Sequence, residues 1–380
     1  MDFSLKNSVK TVINTIEKVG GEAYIVGGCV RDILLSRTPE DFDVTTSLLP
    51  EEILSLFPKT VATGLKHGTV TVIIDSENIE VTTYRTDGTY TDSRHPENVN
   101  FVKNINEDLA RRDFTINAMA YNDITGLIDL FGGQDDINNK ILRTVGNPEK
   151  RFNEDALRIL RLFRFSSQLG FQIEEHTLKT ALKMADSLKN ISRERIAAEL
   201  FKALCSDYPT KINPLLKIGA LEFCGIKSGE ITDDLALLPK ERNIRFYKFA
   251  KQLNSEHILI TQQLKTDKKL SLICKEVDDI IDKQPISITD CKLLLKDYSA
   301  EAIKTMLILS GKSDEIVTNT IHSGEPYQLS QLKINGDDLK KLGISGKSIG
   351  KTLDELLLFV IKHPEKNTKA ELIKLISNKS

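Results

Sequence analysis

Apolar residues recur at two spacings along this chain, and the change between them divides it near residue 145. Before that point, short apolar runs of strand length alternate with turns and with amphipathic helical segments. Beyond it, apolar residues recur almost throughout at the three- and four-residue spacing of helices. This order predicts an α+β head with a small mixed sheet, followed by helical domains.

Individual elements can be predicted from the same pattern. Val9, Val12 and Ile16 share one helical face, and the glycine pair at residues 20–21 ends that helix. The polar residues 86–100 follow neither spacing and predict a mobile loop. Further predictions are a helix over residues 30–35, a long helix from residue 153 that ends at Gly170, and strands over residues 23–26, 41–45, 69–74 and 79–84.

Composition indicates an ordinary soluble globular protein. The 380 residues include 52 Lys and Arg against 54 Asp and Glu, a net charge of -2, and 40% are hydrophobic. Apolar runs such as residues 356–361 are far shorter than the roughly 20 residues that span a bilayer, and the polar start is unlike a signal peptide. We therefore predict a cytoplasmic protein without a membrane partner. The five scattered cysteines form no Cys-x-x-Cys pair and predict reduced thiols.

The sequence Asp41-Phe42-Asp43 is the first candidate for chemistry. Side chains alternate along a strand, so both carboxylates should emerge on one face while Phe42 and Val44 point into the core. Neighbouring carboxylates repel each other unless a cation joins them, and hard oxygen ligands suit Mg²⁺. Taken alone, the same pair is more often a solvated strand face.

A glycine pair precedes this strand in the sequence Gly-Gly-Cys-Val-Arg-Asp, residues 27–32. Such a pair opens a helix whose first amides can approach a phosphate, with Gly28 at the turn and Arg31 adding a charged donor. A glycine turn alone is weak evidence. Combined with Asp41 and Asp43, it outlines a site for a triphosphate and a metal ion.

These two motifs resemble the nucleotidyltransferase signature of class II CCA-adding enzymes and bacterial poly(A) polymerases, in the polymerase-β superfamily. Further motifs of the family occur in the same order, so the resemblance covers essentially the whole chain. They are similar to residues 80–85, 111–118, 154–158, 191–195 and 334–339.

The resemblance implies a polymerase-β-like catalytic head over residues 1–145, a helical neck over 146–206, a body over 207–310 and a tRNA-binding tail over 311–380. It implies addition of C, C and A to tRNA from CTP and ATP by two-metal catalysis with Mg²⁺, and no obligate protein partner. Arg112, Arg161 and Arg164 would bind the triphosphate or ribose. Glu80 is a candidate third carboxylate or a half-exposed strand residue. Asp113 is expected to cap a helix or pair with an arginine.

Asp155, Arg158 and Arg161 are spaced to lie along one helix face. An aspartate only accepts hydrogen bonds and an arginine only donates them. Cytosine and adenine both present an amino donor beside a ring-nitrogen acceptor, so Asp155 and Arg158 could accept either base and reject uracil and guanine. The alternative is a solvated helix over residues 154–164 with internal ion pairs.

Three other functions stay open. An enzyme that adds only the terminal A would carry almost the same motifs. In the family that the chain resembles, CC-adding enzymes have a shortened loop in this region, so the full length of residues 86–100 implies that the terminal A is added. A poly(A) polymerase is disfavoured because no Gly-Arg-Arg-Phe-like stretch precedes the second motif. A catalytically silent RNA-binding protein would be expected to have lost Asp41 and Asp43 or the residues of the fourth motif.

Overall fold

The computed structural model describes residues 3, 5–87, 99–283 and 285–377. Two compact units make up the chain, Met1–Ala236 and Leu237–Ser380. The first contains a mixed sheet with helices, and the described part of the second is helical without strands. The predicted α+β head with helical domains after it is confirmed. The finer division into head, neck, body and tail stays a prediction.

The strands lie in the first unit. They are β1 Ala23–Val26, β2 Asp43–Thr46, β3 Thr60–Gly64, β4 Thr69–Ile74, β5 Glu77–Thr83, β6 Arg85–Asp87, β7 Val99–Phe101, β8 Met119–Asn122, β9 Gly126–Asp129, β10 Ile141–Leu142 and β11 Gln172–Ile173.

Seven of these strands form one sheet in the order β3-β4-β5-β2-β1-β8-β9. β2 and β5 run parallel, and the other neighbouring strands are antiparallel. β6 and β7 pair separately as a short antiparallel ribbon at the two ends of the predicted loop. The central part of that loop, residues 88–98, lies outside the described residues.

Helices follow and flank the strands. In the first unit they are α1 Asn7–Lys18, α2 Gly28–Leu34, α3 Pro50–Leu56, α4 Ile105–Ala110, α5 Gly133–Asn139, α6 Pro148–Glu154, α7 Leu157–Leu169, α8 Glu175–Lys183, α9 Arg193–Leu204, α10 Asn213–Lys217 and α11 Asp234–Leu237. In the second they are α12 Arg242–Gln252, α13 His257–Gln263, α14 Lys268–Ile280, α15 Ile288–Asp297, α16 Ala300–Leu309, α17 Glu315–His322, α18 Gly336–Lys341, α19 Lys347–Lys362 and α20 Lys369–Ser377.

The predicted helix from residue 153 is wrong at its start. Asp155 has extended backbone angles, φ -146° and ψ 107°, so α6 ends at Glu154 and α7 begins at Leu157. Gly170 ends α7 as predicted, in the left-handed conformation with φ 74°. Apolar periodicity continues across the break because both helices bury residues, which is why the pattern did not reveal it.

Each unit has its own apolar interior. α1 packs on β1 and β2, where Val12, Ile16, Ile25 and Val44 are all inaccessible to solvent or nearly so. In the second unit, α18, α19 and α20 share a cluster that includes Leu339, Val360 and Leu372. In the described residues no helix is long and apolar enough to cross a membrane.

Candidate active site

Two exposed carboxylates lie at the start of β2. Phe42 is 8% exposed and Val44 is fully buried, whereas Asp41 and Asp43 are both exposed. The predicted alternation of exposed and buried residues over 41–44 is confirmed, but β2 begins at Asp43, so Asp41 lies just before the strand and not within it.

Glu80 joins this pair because β2 and β5 run parallel with Asp43 and Glu80 as register partners. Register partners on neighbouring strands project to the same side of a sheet. Protein atoms crowd the carboxylate of Asp43, and this desolvation raises its pKa. The charges of Glu80 and Asp41 raise it further, while the guanidinium group of Arg112 lowers it. The site therefore carries excess negative charge that a cation would relieve.

This donor set fits a partly hydrated Mg²⁺. Among the described residues no group of three or more acidic, histidine or cysteine side chains could itself enclose a metal ion. Mg²⁺ usually takes one or two carboxylates and completes its shell with water and substrate phosphates, so Asp41 and Asp43 suffice.

The chain reaches this strand through Gly27, Gly28 and α2. Gly27 has φ 80° and ψ -125°, and a Cβ there would come within 3.0 Å of Nη1 of Arg112. Gly28 begins α2, and a Cβ on it would meet only Arg31, at 3.6 Å. Cys29 is 3% exposed, and its thiol donates to the carbonyls of Val26 and Asp43. Burial raises the pKa of Cys29 to about 11, so the thiol is protonated at neutral pH.

Arg31 extends from α2 and is fixed by three neighbours. Its Nη1 donates to Oδ1 of Asn117 at 2.8 Å, and its Nε donates to Asp32 at 2.9 Å. Its guanidinium group also lies 5.3 Å from the ring centre of Phe165 on α7. Arg31 therefore lies where the sheet region and α7 meet.

Arg112 lies near the pair of Asp41 and Asp43 and forms an ion pair with Asp108, which is fully buried. Nη2 of Arg112 donates to Asp108 at 3.2 Å, and Arg111 donates to the same carboxylate at 2.8 and 3.0 Å. Burial opposes ionisation of Asp108, but the two guanidinium groups outweigh it and lower its pKa. Nε of Arg112 is buried, and the described residues offer it no hydrogen-bond partner. A buried donor without a partner is costly.

Asp113 pairs with Arg161, in agreement with the structural role expected for it. Its Oδ2 accepts hydrogen bonds from Nε and Nη2 of Arg161, at 2.8 and 2.6 Å. Its Oδ1 accepts from the amide of Phe114 and from Asn117. Burial alone would raise its pKa, but Arg161 and these donors lower it to about 2. The ion pair joins the segment after α4 to α7.

Arg164 lies in the interior, one turn further along α7. It is 8% exposed, its Nε is 2.5 Å from the carboxylate of Glu199 on α9, and its Nη1 donates to Gln168 at 2.8 Å. Its predicted contact with the nucleotide is not tested by these neighbours and stays a prediction.

Asp155 is not on the helix that carries Arg158 and Arg161, so the predicted common helix face is wrong. It lies in the break between α6 and α7, where its Oδ1 accepts from the amide of Leu157 at 2.9 Å. Its Oδ2 accepts from Nη2 of Arg195 on α9 at 2.7 Å. The direction of the Asp155 side chain is therefore set by the backbone turn between α6 and α7 and not by the spacing of residues along a helix.

Arg158 does not pair with Asp155 either. Its Nη1 donates to Glu154 and to the carbonyl of Arg151, and its Nη2 donates to the carbonyl of Arg111 at 3.1 Å. Arg158 is 8% exposed, so the alternative of a solvated helix is also wrong. The two predicted base-reading side chains are each oriented by a different partner, Arg195 and Glu154.

Several residues at the site were absent from the predicted set. Asp108 could have been found, because it precedes Arg112 by the four residues of a helical ion pair. Glu154 and Arg195 lie within motifs noted in the sequence, but their partners are set by the fold. Asn117 also lies within a noted motif, but its contact with Arg31 is set by the fold. Phe165 and Glu199 are brought in from separate elements and gave no local signal.

Known proteins resemble this chain in both sequence and fold. The family described as the poly A polymerase head domain matches residues 23–143, and one described as a probable RNA and SrmB-binding site of polymerase A matches residues 170–224. The CCA-adding enzyme of Enterococcus faecalis is 36% identical over 370 residues, which cover 93% of this chain and 90% of that enzyme. That of Lactobacillus helveticus is 52% identical over 191 residues, 50% of this chain and 48% of that enzyme. The crystal structure of the Bacillus stearothermophilus CCA-adding enzyme in complex with CTP superposes with a TM-score of 0.83, at 30% identity and 99% coverage of both chains.

Proposed function

Because this chain belongs to the family of CCA-adding enzymes, we propose that it adds C, C and A to the 3′ end of tRNA, using CTP and ATP without a nucleic-acid template and releasing pyrophosphate. The observation that supports this most directly is the register of Asp43 with Glu80, which gathers carboxylates beside Arg112. Phosphoryl transfer depends mainly on positioning and charge neutralisation, and both kinds of group are present here.

In the proposed reaction, Asp41 and Asp43 bind Mg²⁺, and Glu80 is the candidate third carboxylate. Two bound Mg²⁺ ions would lower the pKa of the tRNA 3′-hydroxyl and stabilise the departing pyrophosphate. Gly28 lets the backbone approach the triphosphate closely, while Arg31, Arg112, Arg161 and Arg164 supply positive charge for its phosphates or for the ribose.

We propose that Asp155 and Arg158 select the base. Asp155 accepts from the amino group that cytosine and adenine share, and Arg158 donates to the neighbouring ring nitrogen. Uracil and guanine leave these groups unpaired at a cost of about 1 to 3 kcal/mol for each group. Glu154 orients Arg158, and Arg195 orients Asp155, each through a hydrogen bond.

The tRNA itself is proposed to bind along the helical part of the chain. Residues 331–380 carry ten lysines against six acidic residues, and such a surplus favours contacts with phosphates without base recognition. We expect recognition of tRNA shape rather than of its sequence.

Primer extension tests the reaction directly. Three tRNA transcripts, ending before CCA, after C and after CC, are incubated with Mg²⁺ and with CTP, ATP or both, and products are resolved at single-nucleotide length. We expect the first transcript to gain three nucleotides with both substrates and then to stop. Extension of only the CC-ended transcript, by one A, would indicate a terminal-A-adding enzyme, and a long A ladder would indicate a poly(A) polymerase.

Two substitutions separate the catalytic from the binding part of the proposal. Asp43→Ala should abolish addition of nucleotides and leave tRNA binding largely intact, as measured by filter binding. Glu40→Gln, an exposed carboxylate one residue before Asp41, is the matched control and should retain activity. Asp155→Ala should instead let UTP and GTP compete, and unchanged selectivity in that variant would exclude its role in base selection.

A further inference from the structure

Three arginines surround a single phenyl ring inside the first unit. The guanidinium carbons of Arg31 and Arg161 each lie 5.3 Å from the ring centre of Phe165, and that of Arg164 lies 3.7 Å from it. Phe165 is 6% exposed, so the ring belongs to the interior. Energetically significant contacts between a cation and an aromatic ring occur about once per 70 to 80 residues, so three on one ring is an unusual concentration.

The three guanidinium groups come from different parts of the unit. Arg31 belongs to α2, whereas Arg161 and Arg164 lie one turn apart on α7. Each also has a carboxylate partner, Arg31 with Asp32, Arg161 with Asp113 and Arg164 with Glu199. Within the part of the chain that the structure describes, all three guanidinium groups contact the ring of Phe165.

A phenyl ring and a carboxylate restrain an arginine in different ways. A carboxylate offsets the charge of the arginine that it binds, and each of the three arginines has one such partner. The negative face of a ring attracts the guanidinium group but has no net charge, so the ring restrains the arginines without offsetting their charge any further. The side chain of Arg161 is 33% exposed, the largest exposure among the three, and is the most accessible to a ligand.

We propose that Phe165 is a positioning residue for nucleotide binding: its ring holds Arg31, Arg161 and Arg164 close together as one receptor for the triphosphate and adds no negative charge to that of their carboxylate partners. This inference rests on the proposed function, because it takes the ligand of these arginines to be the triphosphate of CTP or ATP. A triphosphate is shared by both substrates, so the ring contributes equally to both and does not take part in choosing between bases.

The most specific test changes the electron distribution of the ring and keeps its shape. Phenylalanines with one, two or three fluorines are introduced at position 165 in the full chain, and the KM values for CTP and ATP and the Kd of inorganic tripolyphosphate are measured. Each fluorine withdraws charge from the ring face, so all three constants should rise stepwise, by about 3- to 30-fold over the series, the range for losing one buried cation–ring contact. The kcat should stay within about twofold, since no transition-state contact is removed.

Phe163 provides the matched control. It is fully buried on the same helix, and none of the ring–arginine contacts found in the described residues involves it. The same fluorinated series at position 163 should leave the three constants unchanged. As a second variant, Phe165→Leu should weaken binding of CTP, ATP and tripolyphosphate alike, and Phe165→Tyr, which keeps the ring, should restore it.

The outcomes distinguish this inference from the proposed function. If the KM values and the Kd do not change over the fluorinated series at position 165, in a protein that extends tRNA, the role of Phe165 is overturned and the proposed function stays intact. Equal losses at positions 163 and 165 would also overturn it, because the effect would then be one of packing. An unsubstituted protein that neither extends tRNA nor binds tripolyphosphate would refute the proposed function, and the inference with it.

Discussion

Replacing Asp113 by asparagine should destabilise the first unit by an amount that depends on pH. In the folded protein Asp113 accepts two hydrogen bonds from Arg161, and its pKa is about 2. The ordinary value is near 3.9, and each pKa unit corresponds to about 1.4 kcal/mol. Ionisation of Asp113 therefore contributes about 2 to 3 kcal/mol of stability at neutral pH.

The sign of the pH dependence follows from the direction of the shift. Because the pKa of Asp113 is lowered on folding, its contribution is complete above the unfolded value and is lost as the pH falls through the folded value. Between pH 5 and pH 3 the contribution should decrease by about 1 kcal/mol. Asp113→Asn removes it and also leaves Arg161 without its counter-charge, so the cost at pH 7 should be at least this large.

Urea unfolding of the full chain, followed at several pH values, measures this difference. The midpoint of Asp113→Asn should lie below that of the unsubstituted protein at pH 7, and the two should approach each other as the pH decreases from 5 to 3. Asp135→Asn, an exposed aspartate on α5, is the control and should show little change at any pH. A difference between Asp113→Asn and the unsubstituted protein that is the same at pH 5 and pH 3 would refute the assigned role of the ion pair.

The remaining predictions concern the glycine turn and the second unit. Gly27→Ala should lower the free energy of unfolding by about 1 to 3 kcal/mol, because a φ of 80° strains any other residue and the new Cβ would press on Arg112. Calorimetry should show a lower Tm, and the KM for both nucleotides should rise. Gly28→Ala should leave Tm nearly unchanged but raise KM if the triphosphate approaches this residue, so an unchanged KM would argue against that approach. Asp278→Asn should lower the stability of the second unit by about 1 to 2 kcal/mol after allowance for solvent screening. The reason is that the carboxylate of Asp278 accepts hydrogen bonds from Tyr247, Lys251 and His257. Unaltered unfolding of that unit would contradict this prediction.

Much of the head could be predicted because its signals are local. The limits predicted for β1 and β4 agree with the structure, since short buried strands between turn residues leave a clear pattern. β3 was not predicted, because it is short and its residues are mostly exposed at the edge of the sheet. The start of α7 was wrong because the turn at Asp155 interrupts the backbone without interrupting the apolar spacing.

The sequence by itself determined the chemistry: the Asp41 and Asp43 pair, the glycine turn before it, and the order of the motifs. These depend on residue type and on spacing within one element, which a linear sequence records. Only the tertiary structure decided which charges meet. Strand pairing brought Glu80 to Asp43, and helix packing joined Asp113 to Arg161 and Asp155 to Arg195. Such partners are 37 to 48 residues apart in the chain, and no local periodicity encodes a contact that the packing of separate elements creates.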